Sequence, residues 1–82
     1  MLGKYIIYEI NSGQTRFIIF DKITDHSEIL RSLGEEITLI SAGFCGINHE
    51  THLLQCYGES VTLRVKSREE EDSDIIKRLA EI

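Results

Sequence analysis

The constraint that most narrows the fold is a pair of apolar runs, KYIIYEI (4–10) and TRFIIF (15–20), separated by NSGQ. Runs rich in Ile, Tyr and Phe around a Gly-containing turn read as two antiparallel strands. With Ser12-Gly13 as a two-residue loop, Glu9 falls opposite Arg16, Lys4 opposite Asp21, Tyr8 opposite Phe17 and Tyr5 opposite Phe20. These pairs of opposite charge and of aromatic rings favour one register. A three-residue loop with Gly13 in the left-handed conformation shifts the pairing by one.

In the two-residue register both faces of the ribbon are apolar. Ile6, Tyr8, Ile10, Phe17 and Ile19 make one side. Tyr5, Ile7, Ile18 and Phe20 make the other, with Glu9 and Arg16 at its end. The chain is 82 residues long, which suits one domain with a modest core. If its helices cover one face of the sheet, the second face calls for a loop, a terminus or another molecule. Tyr5, Ile7, Ile18 and Phe20 are therefore the expected partner-binding residues, and the expected partner is another protein or a second copy of this chain.

The remaining elements follow from periodicity. TDHSEILRSLG (24–34) reads as a short helix, with Asp25 and Glu28 as a capping-box-like start and Gly34 as the stop. His26, Ile29, Leu30 and Leu33 share one face. EEITLISAG (35–43) reads as a third strand, and GFCGIN as a loop or bulge. THLLQCY (51–57) and SVTLRVK (60–66) flank Gly58-Glu59, which suits a type II′ hairpin turn. That turn places Cys56 opposite Val61 and His52 opposite Val65. The tail reads as a second helix, started by Ser67 or Ser73, with Ile75, Ile76, Leu79 and Ile82 as its apolar stripe. The expected fold is two-layer α+β, an antiparallel sheet of about five strands with two helices on one face, in the order ββαβββα. A more open sheet, in which residues 42–51 form only a loop, is the alternative.

Charge and hydropathy exclude several function classes. The net charge is −5 and the pI about 5.1, with nine scattered Lys and Arg residues. Binding driven by phosphate neutralisation needs a basic face, so no nucleic-acid partner is expected. The acids at 69–72 read as a solvated helix start that complements the dipole. No run approaches the roughly 20 apolar residues of a membrane span. MLGKYIIYEI resembles neither a signal peptide nor a lipidation site, so a cytoplasmic setting with reduced cysteines is expected.

One window carries possible chemistry, CGINHETHLLQC (45–56), with Cys45, His49, His52 and Cys56. The spacing C-x3-H-x2-H-x3-C matches no familiar zinc pattern. If 51–57 is a strand, His52 and Cys56 lie about 13 Å apart at ~3.3 Å per residue, too far for one metal. A thiol nucleophile at Cys45, between Gly43 and Gly46, with His26 or His49 as base, is the enzyme alternative. No catalytic motif supports it, and no phosphate-binding glycine loop is present. The leading expectation is a small, acidic, homodimeric interaction module with no cofactor, no metal and no catalytic residue. The rival is a metal or thiol site around Cys45 and His49.

Overall fold

The computed structural model describes residues 2–34 and 36–80. Glu35 and Ile82, which the sequence assigned to a strand and to a helix stripe, lie outside the described residues. The elements are β1 (Gly3–Ile10), β2 (Thr15–Phe20), α1 (His26–Leu33), β3 (Ile37–Ile47), β4 (Leu54–Tyr57), β5 (Glu59–Ser60), β6 (Val65–Lys66) and α2 (Glu70–Ala80). The class is α+β. The order ββαβββα is kept, with the expected strand at 60–66 folded back into the β5–β6 pair. The main sheet is antiparallel in the order β2-β1-β3-β4, and β5 and β6 form a separate two-stranded ribbon.

The first ribbon takes the three-residue loop. Gly13 has φ +86°, a conformation that costs glycine little. Ile10 N–H donates to the Gln14 carbonyl (3.0 Å) and Gly13 N–H to the Ile10 carbonyl (2.8 Å). The pairs are therefore Tyr5 with Ile19, Ile7 with Phe17, Ile6 with Ile18, Tyr8 with Arg16 and Lys4 with Phe20. The two-residue register expected from charge matching is corrected by one position. A shift of one redistributes one strand's side chains between faces. Tyr5 and Ile7 now share a face with Phe17 and Ile19, while Ile18 and Phe20 share the other with Ile6 and Tyr8.

Both faces of β1 are apolar because both are covered. On one side Ile6, Tyr8 and Ala42 form a core packed by Ile29, Leu30 and Leu33 of α1 and by Leu63 and Val65 of the β5–β6 ribbon. On the other, Tyr5, Ile7, Cys45 and Cys56 pack with Ile76 of α2. The helices thus lie on opposite faces, which corrects the expectation of two helices on one face.

α1 begins as its sequence indicates: the Asp25 carboxylate accepts from Ser27 N–H (3.1 Å), and Gly34 follows the helix at φ +90°. β3 continues through Gly43 and Gly46, so residues 43–47 of the expected loop are strand and Asn48 lies just beyond it. A Cβ on Gly43 would stand 2.5 Å from the Tyr57 carbonyl oxygen. Glycine here allows close approach of backbones and does not break the strand. The irregularity lies instead at a register shift opposite Ile7 and Tyr8, where Ile40 is the extra residue.

β4 pairs with β3, not with 60–66. The turn joining them is organised by Asn48, whose side-chain oxygen accepts from Glu50 N–H (2.8 Å) and Thr51 N–H (3.2 Å). This local bonding is typical of asparagine in turns. Among the described residues, no helix is long and apolar enough to cross a membrane.

Candidate functional site

The two edges of the main sheet differ. β4 forms one edge, and its outward Cys56 N–H donates to Ser73 Oγ of α2 (2.9 Å). Ser73 in turn donates to the Glu69 carbonyl (2.8 Å). That edge is closed by a helix. β2 forms the other edge. The bond from Ile10 N–H to the Gln14 carbonyl sets which residues face inward. By the alternation of an antiparallel ladder, Arg16, Ile18 and Phe20 direct their backbone groups to β1. Thr15, Phe17 and Ile19 direct theirs outward.

The same three residues place their side chains on the α2 side of the sheet, in register with Glu9, Ile7 and Tyr5. α2 seats against β4, at the far edge. Ile19 is consequently 37% exposed, and Phe17 and Thr15 are half-buried. An open backbone edge and an incompletely covered apolar strip therefore coincide on β2.

The four residues expected to meet a partner divide two and two. Tyr5 and Ile7 are fully buried beneath α2 and cannot present a surface. Ile18 and Phe20 are half-buried against the α1-side core. The second apolar face expected of β1 is core, because the helices divide between the two faces. Of the neighbours on the α2 side, Ile19 is exposed, and Thr15 and Phe17 are half-buried. The three-residue turn signal at Gly13 is the sequence feature that selects them.

Beneath α2 lies a polar network that the sequence did not suggest. Tyr5 OH donates to Asp72 Oδ2 at 2.5 Å and meets Ser67 Oγ at 2.6 Å. Asp72 also accepts from Arg68 N–H (2.9 Å) and Arg68 Nε (2.8 Å). Asp72 is fully buried, which corrects its expected place on a solvated helix start. Glu69, Glu70 and Glu71 are exposed. Burial, then the bond to the Asp72 carboxylate, push the Tyr5 hydroxyl pKa well above the ordinary phenol value.

His26 sits on the opposite side of the sheet, over the cross-strand row Phe20, Lys4, Phe44, Tyr57. It meets Phe20 and Phe44 edge-on, at centroid distances of 5.4 and 6.1 Å. Its Nε2 lies 2.9 Å from the Gly43 carbonyl, so Nε2 carries the proton and donates. Burial holds its pKa below the ordinary imidazole value.

This geometry rearranges the quoted cysteine window. Cys45 and Cys56 are direct cross-strand neighbours, both fully buried free thiols on the α2 side. His49 and His52 are exposed. His52 lies in the β3–β4 loop at φ 60°, not on an apolar strand face. Among the described residues, no group of three or more His, Cys, Asp or Glu side chains is placed to hold a metal. Burial pushes the Cys45 thiol up to about 11, with the neighbouring Cys56 adding to the effect. That is opposite to the activation a nucleophile needs. Of the two expected bases, His26 is separated from Cys45 by the sheet, and His49 is exposed while Cys45 is buried. Set against family models, curated proteins and solved structures, the chain matches none.

Proposed function

We propose that the protein is a small, acidic, cytosolic interaction module that works by surface contact, as an adaptor, regulator or inhibitor, and that it acts as a homodimer joined through β2. The observation that carries this reading is the coincidence on one strand of outward backbone groups and an incompletely covered apolar strip, in which Ile19 is exposed and Phe17 half-buried. An unpaired edge strand is a template for a further strand.

Self-pairing suits this sequence. A two-fold axis at Phe17 sets Phe17 opposite its own copy and Thr15 opposite Ile19 of the second chain. All three are outward-facing, so each opposed pair exchanges two backbone hydrogen bonds. Their side chains line up on the α2 side of a continuous eight-stranded sheet. On the other side Arg16 falls opposite Ile18, so the arginines are not directly opposed. Proline, which protects many natural edges, is absent from the chain.

One strand pair buries less than the ~1,600 Å² of a standard interface, so association in the micromolar range is expected. Light scattering across that range tests it. The natural chain is expected to shift toward twice the monomer mass as concentration rises. Ile19→Pro, which removes an outward N–H and leaves the β1–β2 ladder intact, is expected to remain monomeric and folded. A natural chain that stays monomeric at high concentration contradicts the proposal.

A further inference from the structure

The Cys45–Cys56 pair is placed by the backbone ladder in a specific way. Leu2 N–H donates to the Cys45 carbonyl (2.9 Å), so Cys45 directs its backbone to β1. Cys56 directs its N–H away from β3, to Ser73. Asn48 N–H donates to the Leu53 carbonyl (2.9 Å), and counting along from this bond makes Gly46–Gln55 and Phe44–Tyr57 the hydrogen-bonded pairs. Three separate observations therefore make Cys45–Cys56 a non-hydrogen-bonded pair. In such a pair the Cα atoms approach to about 4.5 Å and the side chains lie closest. That distance falls within the roughly 4.4–6.8 Å window that a disulfide bridges.

From this register we infer a thiol modification site: Cys45 and Cys56 close to an intramolecular disulfide on reaction with a low-molecular-weight disulfide, and reopen on reaction with small thiols. Cys56 lines a cleft of about 410 Å³ between β4 and α2, together with Leu54, Ser73 and Lys77. Both thiols are buried and burial raises both thiol pKa values, so exchange is slow, draws on the small opened and ionised fraction, and enters from the cleft side at Cys56. The Cys56 thiolate attacks one sulfur of the reagent and releases one small thiol. The Cys45 thiolate then attacks Cys56 Sγ in the mixed disulfide and releases the second. Two electrons pass from the cysteines to the reagent, and the two thiol protons end on the released small thiols. The product ties β4 to β3 beneath α2 and leaves β2, at the opposite edge of the sheet, untouched.

The test uses the native chain and oxidised glutathione, followed by acid quench, unfolding, alkylation and intact mass. The expected product has lost about 2 Da, takes no alkylating agent, runs as a single chain without reductant, and unfolds several degrees higher. In Cys45→Ser a single glutathione adduct on Cys56 is expected to accumulate, because the resolving thiol is gone. Cys45→Ala repeats that measurement with an apolar side chain should the serine variant fold poorly. Two alkylated cysteines after exposure, a lasting adduct on the natural chain, or a covalent dimer would each overturn the inference. None of these readouts depends on the oligomeric state proposed above.

Discussion

Removing a single oxygen from Tyr5 probes how the α2 face is held. Tyr5→Phe keeps the ring, fills the same volume and opens no cavity. It deletes the donor to Asp72 Oδ2 at 2.5 Å and the contact with Ser67 at 2.6 Å. Asp72 is fully buried, so water does not readily replace the lost donor. Ser67 keeps the Glu69 N–H (3.0 Å) and Asp72 keeps Arg68, so only the tyrosine bond is counted. A hydrogen bond to a charged group contributes about 1.5–3 kcal/mol, and the expected loss is about 2 kcal/mol. For a chain of this size each kcal/mol moves the thermal midpoint by roughly 4–8 °C, giving a fall of about 8–16 °C by circular dichroism. Asp72→Asn should cost less in the Tyr5→Phe background than alone, because the pair is coupled. A midpoint within about 2 °C of the parent would refute the claim that this network seats α2.

Further outcomes follow from single groups. Ser41 is fully buried and its Oγ has no partner among the described residues; Ser41→Ala should be neutral or stabilising by about 1 kcal/mol in urea unfolding, since it removes an unsatisfied hydroxyl. Ser73→Ala frees the Cys56 N–H and should cost about 1–2 kcal/mol in the same assay. Stability should be greatest between about pH 6.5 and 9, the ordinary values for His26 and Cys45. The His26 pKa is depressed on folding, so its contribution is present above 6.5 and lost as pH falls. The Cys45 pKa is raised to about 11, so its contribution is present below 9 and lost as pH rises toward 11. Tyr5, raised in the same sense, extends the alkaline loss above pH 10. Chemical unfolding at intervals from pH 5 to 11 checks both limbs, and a flat profile through pH 10 would contradict the alkaline one.

What could be read from the sequence was whatever a local signal decides. Asp25 and Gly34 bound α1 because a cap and a left-handed stop act within one turn of chain. The first ribbon was evident from its composition, but its register turned on Gly13, and charge matching between Glu9 and Arg16 pointed to the wrong alternative. The glycines at 43 and 46 misled because glycine serves two purposes. Here Gly43 lets Tyr57 and Tyr5 approach the backbone. The partner of β4 was missed because Gly58-Glu59 resembles a hairpin turn, whereas Asn48 organises the turn that is used. Gly58 has φ +78° and lies against the Phe44 ring, so it directs the chain away from pairing back on β4.

The candidate site shows the same division. Apolar residues on both faces of β1 were visible from alternation alone. That each face receives its own helix is a tertiary outcome that no window of sequence contains. It transferred the accessible surface from Tyr5 and Ile7 to Phe17 and Ile19. The Cys45–Cys56 neighbourhood was hidden for a similar reason, since it follows from pairing β3 with β4.

Residue-resolved amide exchange tests the β2 edge most directly. Arg16, Ile18 and Phe20 donate into the sheet and should be protected at every concentration. Phe17 and Ile19 point outward, and their protection should appear only as the chain is concentrated through the micromolar range and vanish in Ile19→Lys, read there at Phe17. Outward amides that exchange freely at all concentrations, while their inward neighbours stay protected, would contradict a second copy at this strand.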